Sequence, residues 1–221
     1  MKLSVLMPVY NEEKGLATIL ERVAAVPVEK EIIVVDDCSR DGTWEILQSL
    51  RIPGLRLFRH EVNRGKGAAI RTALTHATGD AVIIQDADLE YDPRDYLRLL
   101  QPLLEGKSKV VYGARPLSRQ KLLLHLGNRF LTWVTNILYG TRLTDMETCY
   151  KLMAAEVTQD LTIECNRFEI EPEITAKITR RGYTIIEVPI SYEPRQEKKL
   201  SPWKDGWPAL RALIRYRFGK I

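Results

Sequence analysis

The sequence has few cysteines, and their spacing excludes two common classes of small protein. Only Cys38, Cys149 and Cys165 occur in 221 residues, and no two of them form a CxxC pair. A secreted disulfide scaffold needs a denser, even set of cysteines, and a zinc ribbon needs paired ones. Three separated thiols are typical of a protein that folds in a reducing compartment, so we expect a cytoplasmic location.

Long apolar runs and low-complexity segments are also missing. Residues 1–10 lack the apolar core of a signal peptide, and the longest apolar-leaning run, Leu122–Tyr139, is interrupted by His125, Asn128 and Arg129. A membrane-spanning helix needs about 20 mostly apolar residues, so the pattern predicts a soluble or peripheral protein. With 45% hydrophobic and 28% charged residues, the composition is that of an ordinary globular domain.

The net charge of +4 conceals an alternation of acidic and basic blocks along the chain. Residues 106–144 carry seven cations and no anion, and residues 194–221 carry eight cations and two anions, whereas residues 1–105 and 145–193 are net acidic. Such blocks are either solvated faces or a basic surface for phosphates or anionic lipid headgroups. They contain no recognisable nucleic-acid reader motif, so nucleic acid is not expected as a partner.

The first half alternates apolar strand-like runs with stretches of helical periodicity. Strands are predicted at Leu3–Met7, Glu31–Val35, Leu55–His60 and Ala81–Ile84, and helices at Glu12–Ala25, Gly42–Leu50 and Gly65–Ala77. Unbroken apolar runs such as Ile32–Val35 are typical of strands buried on both faces of a parallel sheet. The alternation predicts an α/β fold with a mostly parallel central sheet flanked by helices.

The second half is less regular, and no linker or internal repeat separates it from the first. Strands are predicted at Lys109–Tyr112 and Tyr183–Val188, and helices at Ser118–Tyr139, Glu171–Arg181 and Asp205–Arg217. The last helix is amphipathic and basic near its end. We therefore expect a single domain over residues 1–221.

Polar clusters follow each of the first four predicted strands. These clusters are Pro8–Glu12, Asp36–Thr43, Asn63–Gly67 and Gln85–Glu90. Ligands bind at the carboxyl ends of the strands in doubly wound sheets. The four clusters therefore predict one site at one edge of the sheet.

Asp86 and Asp88 give the strongest indication of a metal site in these clusters. Alternate residues leaving a strand point roughly the same way, so the two carboxylates are expected to converge, with Glu90 one step further. Crowded oxygen donors attract a hard divalent cation, whose coordination is completed by substrate phosphates. Asp86, Asp88 and Glu90 are therefore predicted to hold Mg²⁺ or Mn²⁺.

Two other nucleotide-binding classes fit the sequence poorly. The segment Gly65–Ile70 lacks the spacing of a Walker loop, and it has Ile70 where a dinucleotide fingerprint has its third glycine. It also follows the third strand rather than the first, which argues against a Rossmann dehydrogenase.

The four clusters resemble, in order, the motifs of family 2 glycosyltransferases with the GT-A fold. The likeness continues through Gly113–Arg115, Thr144–Lys151 and Glu187–Tyr192, and it covers residues 3–206. The sequence is similar to the branch of this family that contains dolichyl-phosphate mannose synthases and related polyprenyl-phosphate glycosyltransferases. The resemblance implies a GT-A (Rossmann-like) sheet with basic amphipathic C-terminal helices.

The resemblance also divides the chain and implies roles for the matched residues. Residues 1–112 would bind the nucleotide sugar, and residues 113–221 would face the acceptor and the membrane. The donor-binding residues would be Pro8, Tyr10, Glu12, Val35, Asp37, Asp86, Ala87, Asp88, Arg115, Arg195 and Lys198. The acceptor phosphate would be bound by Arg129, Arg195 and Lys199, and catalysis would rest on Asp88 and Arg115. The loop between Arg195 and Trp203 is shorter than in relatives.

The implied reaction is an inverting, metal-dependent transfer of a hexose from a nucleotide-diphosphate sugar to a polyprenyl or dolichyl phosphate. GDP-mannose is the favoured donor, with UDP-glucose or UDP-N-acetylglucosamine as alternatives. A phosphate acceptor is ionised near neutral pH and needs cations rather than a base. Transfer to a saccharide hydroxyl is a second hypothesis, which needs a carboxylate base such as Asp145 or Glu147. A non-catalytic nucleotide-sugar-binding subunit is a third.

The basic blocks and the Ser118–Tyr139 helix predict contact with an anionic membrane surface. Its apolar side would comprise Leu122, Leu123, Leu126, Phe130, Trp133, Val134 and Ile137, with Arg119, Lys121 and Arg129 as cations. The alternative is that these apolar residues belong to the core. We expect a peripheral protein on the cytosolic face of a membrane, with a membrane-protein partner as an open alternative.

Overall fold

A computed structural model describes residues 1–116, 122–159, 161–195 and 202–219 of the chain. The strands are β1 (Leu3–Val9), β2 (Lys30–Asp36), β3 (Leu55–Arg59), β4 (Ala81–Ile84), β5 (Val110–Ala114), β6 (Lys151–Ala154) and β7 (Ile185–Pro189). The helices are α1 (Leu16–Ala25), α2 (Thr43–Ser49), α3 (Lys66–Leu74), α4 (Tyr96–Leu104), α5 (Leu122–Tyr139), α6 (Ala155–Gln159), α7 (Ile170–Arg180) and α8 (Pro202–Phe218). Every strand predicted from the sequence is present.

The strands form one sheet in the order β3-β2-β1-β4-β6-β5-β7. Strand β6 is antiparallel to both of its neighbours, whereas the other pairings are parallel. The predicted α/β class with a mostly parallel sheet is confirmed. Strand β1 lies between β2 and β4, so the strand order reverses at β1. In α/β sheets, ligands bind beyond the carboxyl ends of the strands at such a reversal.

The sheet forms the centre of the hydrophobic core. The apolar run Ile32–Val35 is completely buried, as are Val5 of β1 and Ile83 of β4. Strands with helices over both faces bury successive side chains, which explains why these runs are continuous rather than alternating. The core fixes the directions in which the loops beyond the strand ends project.

Strand β6 and helices α4 and α6 are absent from the sequence prediction. Strand β6 spans four residues and begins at Lys151, a residue type that indicates exposure. In the structure Lys151 is fully buried, and its Nζ donates to Glu171 Oε2 at 2.6 Å. A long-range ion pair therefore permits a charged residue inside the sheet.

Several element ends differ from those predicted. Helix α1 begins at Leu16 rather than at Glu12, because the preceding residues bind the loop after β2. The amide of Asn11 donates to Ser39 Oγ at 2.9 Å, and the amide of Glu12 donates to Thr43 Oγ1 at 2.9 Å. Along the described helices, no segment combines the length and the apolar character that crossing a bilayer requires.

Candidate active site

A cleft of about 490 Å³ opens beyond the carboxyl ends of β1, β2 and β4. Nine of the predicted donor-binding residues line it: Pro8, Tyr10, Glu12, Asp37, Asp86, Ala87, Asp88, Arg115 and Arg195. Its far wall is supplied by α5 and α8 through Leu124, Gly127, Asn128, Leu131, Gly206 and Ala209. The topology therefore brings residues that are distant in the sequence into one site.

Two of the described residues that the sequence assigns to the site, Val35 and Arg129, do not line the cleft. Val35 is completely buried within β2, so its side chain belongs to the core. Arg129 is exposed on α5, and the cleft geometry gives no support to its predicted acceptor-phosphate role. Lys198 and Lys199 lie outside the described residues, as do Arg119 and Lys121.

Backbone strain concentrates in the loops that form the cleft. Asn11, Cys38 and Leu89 have φ values of 52°, 63° and 61°, and they lie in the loops after β1, β2 and β4 respectively. The left-handed conformation costs a residue other than glycine about 1–3 kcal/mol. Such strain accumulates where a functional geometry is imposed by the surrounding structure, so these three loops are the region in which to expect the site.

The carboxylate of Asp37 organises the start of helix α3. Its Oδ1 accepts from the Arg64 amide at 2.9 Å and lies 2.7 Å from His60 Nδ1, and its Oδ2 accepts from the Gly65 amide at 2.7 Å. A carboxylate there satisfies amides that have no partner within the helix. Asp37 still lines the cleft, and a carboxylate accepts about four hydrogen bonds, so one position is left for a ligand.

The glycines before and within α3 are explained by close packing. A Cβ atom on Gly65 would lie 2.3 Å from the carbonyl oxygen of Asn166, and one on Gly67 would lie 2.3 Å from that of Cys165. Gly65 also has a φ of 96°, which favours glycine. The glycine pattern that suggests a phosphate loop in the sequence therefore allows α3 to contact the segment before α7.

Asp88 lies in an electrostatically unfavourable environment. Burial, followed by the charges of Asp86 and Glu90, raises the pKa of Asp88 to about 7. A divalent cation would remove this penalty by neutralising the carboxylates. The two aspartates therefore fit the oxygen-donor set that Mg²⁺ or Mn²⁺ prefers.

Glu90 is oriented by the chain beyond β7. Its Oε1 accepts from the Arg195 amide at 2.8 Å, and its Oε2 accepts from the Tyr192 hydroxyl at 3.0 Å. Across the described parts of the chain, no three His, Cys, Asp or Glu side chains form a group that could hold a metal ion. The structure thus does not assemble the predicted trio of Asp86, Asp88 and Glu90. Mg²⁺ commonly binds through one or two carboxylates together with substrate phosphates.

Lys66, to which the sequence analysis gives no role, lies at the centre of a buried ion-pair network. Its Nζ is 2.8 Å from Asp86 Oδ1 and 3.0 Å from Glu171 Oε1. Burial lowers the pKa of Lys66, but the charges of Asp86 and Glu171 outweigh it and raise that pKa well above its ordinary value. Because Glu171 comes from α7, about 100 positions away in the chain, only the fold reveals this network.

Arg195 joins three segments around the cleft. Its Nε donates to the Asp88 carbonyl oxygen at 2.8 Å, and its two terminal nitrogens bind the Glu12 carboxylate. The guanidinium is thus bound by protein groups on each nitrogen. These contacts use three of the five N–H donors of the guanidinium, so two remain for the phosphate that the sequence predicts Arg195 to bind.

Arg115 forms a buried bidentate pair with Asp145. The Nε and Nη2 atoms of Arg115 donate to the Asp145 carboxylate at 2.6 and 2.8 Å. Burial lowers the pKa of Arg115, but the charge of Asp145 more than compensates and raises it well above its ordinary value. A planar guanidinium held on one edge is a fixed donor for an anion on the other.

Glu147 lines the cleft and has a buried carboxylate oxygen, Oε1, without a hydrogen-bond partner among the described residues. Burial raises the pKa of Glu147 to about 7, with the charge of Glu171 adding to the effect and those of Lys151 and Arg115 opposing it. A carboxyl group with such a pKa can act as a proton acceptor or donor near neutral pH.

Helix α5 also carries an exposed apolar stripe that does not line the cleft. The stripe consists of Leu123, Leu126, Phe130, Trp133 and Ile137, each at least 50% exposed. Spacings of three and four residues place these side chains on one face of the helix. Val134, which the sequence assigns to this side, instead packs against the core. Helix α8, which contacts α5 through a hydrogen bond from the Tyr139 hydroxyl to the Leu213 carbonyl, exposes Trp207, Ile214 and Phe218.

The fold and the cleft define an α/β protein with a charged cleft at the sheet crossover. The sequence profile of glycosyl transferase family 2 matches residues 4–154. The chain belongs to this family.

Two relatives with assigned names illustrate the family. The low-salt glycan biosynthesis hexosyltransferase Agl6 of Haloferax volcanii is 30% identical over 96% of this chain, which spans only 53% of the relative. The undecaprenyl-phosphate mannosyltransferase of Micrococcus luteus is 27% identical over 91% of this chain and 88% of the relative. The chain thus spans about half the length of the first relative and most of the second.

The same fold occurs in a solved structure. Glucosyl-3-phosphoglycerate synthase from Mycobacterium tuberculosis, in complex with Mn²⁺, UDP and phosphoglyceric acid, superposes with a TM-score of 0.82 at 20% identity. The match covers all of this chain and 80% of that one. Because the identity is low, the likeness establishes the GT-A fold alone, which confirms the fold expected from the sequence.

Proposed function

We propose that the protein transfers a hexose from a nucleotide-diphosphate sugar to a polyprenyl phosphate, with GDP-mannose as the favoured donor. The observation that carries the proposal is the combination of a charged cleft at the sheet edge with an exposed apolar stripe on the helix that forms the opposite wall. A donor with a charged diphosphate suits the first feature, and a lipid acceptor suits the second. The polyprenyl-phosphate acceptor named for the Micrococcus luteus relative supports this assignment.

The donor is bound by the loops after β1, β2 and β4. Tyr10 provides a ring for the base or ribose, and the remaining acceptor position of Asp37 suits a ribose hydroxyl or a base edge. Asp86 and Asp88 would hold Mg²⁺ or Mn²⁺, which supplies neutralising charge to the leaving diphosphate when bound. GDP-mannose is preferred because one relative is a mannosyltransferase, whereas UDP-glucose is the alternative that a fold relative binds.

The acceptor phosphate requires cations but no strong base. Arg115 is held by Asp145 through Nε and Nη2, which leaves its Nη1 for a phosphate oxygen. Arg195 contributes a second guanidinium through the N–H groups that Glu12 and Asp88 do not occupy. The phosphate oxygen attacks the anomeric carbon as the bond to the diphosphate breaks, and the configuration inverts in a single step. Asp88 would help to orient the acceptor without carrying a proton.

The apolar stripe would lie at an anionic membrane surface. Helix α5 contains no acidic residue, and the exposed Arg129 lies beside Phe130. An amphipathic helix with aromatic and aliphatic residues on one face and cations nearby is typical of interfacial binding. Because α5 also lines the cleft, a lipid whose tail contacts this helix can present its phosphate to the site. The protein would then act peripherally on the cytosolic face.

Calorimetry tests the donor assignment. GDP-mannose, UDP-glucose and UDP-N-acetylglucosamine are titrated into the protein with and without Mn²⁺. We expect one donor to bind in a Mn²⁺-dependent manner and Asp88→Ala to abolish that binding. Binding of no donor by the wild-type protein, or equal binding after chelation, would contradict the proposed metal-dependent site.

A second candidate function is transfer to a saccharide hydroxyl. Such an acceptor has to lose a proton, so it needs a general base. Asp145 is engaged by Arg115, whereas Glu147 lines the cleft, has an unpaired oxygen and has a pKa near neutrality. Turnover with a free saccharide but not with a short polyprenyl phosphate would favour this candidate.

A further inference from the structure

Glu147 differs from every other acid that lines the cleft in the described structure. Each of the six others forms a hydrogen bond or an ion pair with a described residue. The two cations whose charges lower the pKa of Glu147 are already engaged, since Lys151 binds Glu171 and Arg115 binds Asp145. Glu147 is therefore left with a buried oxygen that no described residue satisfies.

An unsatisfied buried oxygen is uncommon in native proteins and calls for a specific explanation. A role in folding does not provide one, because a carboxylate with an unpaired buried oxygen opposes folding. Glutamine or a small apolar residue would fill the same position at a lower cost in stability. A ligand that brings a hydrogen-bond donor to Glu147 would account for the residue.

The position of Glu147 limits which part of the substrate it meets. Two residues before it, Asp145 holds Arg115. Two residues after it, the Cys149 thiol donates to the carbonyl oxygen of Ile84 at 3.6 Å, two residues before Asp86. Glu147 thus lies in a segment that contacts the arginine proposed to serve the acceptor phosphate on one side and, on the other, the end of the strand that leads to the aspartates proposed to serve the leaving diphosphate. The hexose is the group that passes between those two.

The chemistry of the substrate points the same way. Phosphate oxygens are acceptors and carry negative charge, so they do not satisfy a carboxylate and are repelled by it. The base and the ribose are assigned to the loops after β1 and β2. The hydroxyl groups of the hexose are the remaining donors of hydrogen bonds in the substrate.

We propose that the Glu147 carboxylate accepts a hydrogen bond from a hydroxyl group of the transferred hexose and thereby determines which sugar the protein accepts. This inference rests on the proposed function. A site built to bind a hydroxyl discriminates strongly against an analogue that lacks it, because the polar group of the protein is then left unpaired. Glu147 is in this account a specificity-determining residue and not a proton acceptor.

The test separates the sugar from the nucleotide. Calorimetry in the presence of Mn²⁺ compares GDP with GDP-mannose and UDP with UDP-glucose for the wild-type protein, Glu147→Ala and Glu147→Gln. We expect Glu147→Ala to weaken the sugar nucleotide about 10- to 100-fold, which is the range for a hydrogen bond to a charged group. The free nucleotide is expected to bind within about twofold of wild type. Glu147→Gln keeps an acceptor oxygen and should lie between the two.

A matched control and an analogue series complete the design. Glu156→Ala removes an exposed glutamate that pairs with Lys109 outside the cleft, and it should change neither affinity. One monodeoxy analogue of the sugar nucleotide should bind the wild-type protein more weakly than the complete sugar nucleotide does. The factor should equal the loss of affinity caused by Glu147→Ala. The Glu147→Ala variant should bind that analogue and the complete sugar nucleotide equally.

Three results would overturn the inference. Equal weakening of nucleotide and sugar nucleotide would show that Glu147 acts through the structure of the site. Unchanged affinity with a loss of turnover would assign it the proton-accepting role of the second candidate function. Failure of the wild-type protein to bind either sugar nucleotide, in contrast, would overturn the proposed function itself and the inference with it.

Discussion

The two walls of the cleft are built from opposite chemistry. The sheet-edge wall carries carboxylates, lysine and arginine in a closed network of ion pairs, in which Lys66 joins Asp86 to Glu171. The wall formed by α5 and α8 contributes Leu124, Leu131 and Ala209 to the same cleft and exposes the apolar stripe outside it. One wall suits a charged, water-soluble donor, and the other suits a lipid.

This difference predicts that the two walls can be disabled independently. A substitution in the sheet-edge wall should impair donor binding and leave vesicle binding unchanged. A substitution in the stripe should do the reverse. A substitution where the walls meet should affect the stability of the whole fold.

The largest effect is expected at the junction of the walls, where Arg115 at the end of β5 binds Asp145 from the turn after α5. Arg115→Met leaves Asp145 buried and unpaired, which should lower the free energy of unfolding by about 3–5 kcal/mol. Urea denaturation measures this loss. The double variant Arg115→Met with Asp145→Leu should recover most of it, because both charges are gone. Additive losses would show that the pair is not coupled.

The second effect concerns the sheet-edge wall. Asp86→Asn removes a charge that would face the metal and the diphosphate, so Mn²⁺-dependent donor affinity should fall about 100- to 1,000-fold. Calorimetry provides the measurement. Asp92→Asn is the matched control, because Asp92 pairs with the exposed Arg94 and does not line the cleft. Vesicle binding should be unchanged in both variants.

The third effect is a pH dependence of stability that originates at Glu147. Its pKa is about 7 in the folded protein, compared with the ordinary value of 4.5 that applies to the unfolded chain. Because the folded-state pKa is raised, stability is fully present below pH 4.5 and is lost as pH rises to about 7. Glu147→Gln removes this loss, so the variant should exceed wild type by up to about 3 kcal/mol at pH 8.

Urea titrations of wild type and Glu147→Gln at several pH values check this difference. The two curves should converge near pH 4.5. Curves that stay parallel between pH 4.5 and 8 would show that Glu147 is ionised without penalty in the folded protein.

The smallest effect concerns the helix wall. Trp133→Ser removes a large side chain from the centre of the stripe and should weaken binding to anionic vesicles about 10- to 100-fold, in line with burial of one large apolar side chain. Co-sedimentation measures it. Leu104→Ser, which alters an exposed leucine at the end of α4, should have no effect.

Arg129→Glu should also reduce binding to anionic vesicles, and the reduction should be larger at low salt. Vesicle binding that is unchanged in both Trp133→Ser and Arg129→Glu would contradict the proposed membrane contact.

The contrast between the walls also explains how much the sequence predicts. The loops of the sheet-edge wall follow buried strands directly, so their placement depends on local order and on the rule for parallel sheets. Asp37, Asp86 and Asp88 are therefore found without a structure. Their exact partners are not, because Lys66 and Glu171 meet only through tertiary packing.

The features that the sequence misses share a dependence on long-range contacts. Strand β6 begins with a lysine that only a buried glutamate from α7 can neutralise. The carboxylate of Glu90 is turned toward Tyr192 and Arg195 by a segment about 100 residues further along the chain. For α5, helical periodicity identifies an apolar face, but it does not separate the exposed stripe from the buried Leu131 and the packed Val134.

The most direct test of the account is the identity of the product. The protein is incubated with Mn²⁺, GDP-mannose or UDP-glucose, a short-chain polyprenyl phosphate and a free saccharide, and the products are identified by mass spectrometry and NMR. We predict a single hexose joined to the polyprenyl phosphate, with inverted configuration at the anomeric carbon. Transfer to the saccharide hydroxyl, or no transfer to the lipid phosphate with either donor, would contradict the account.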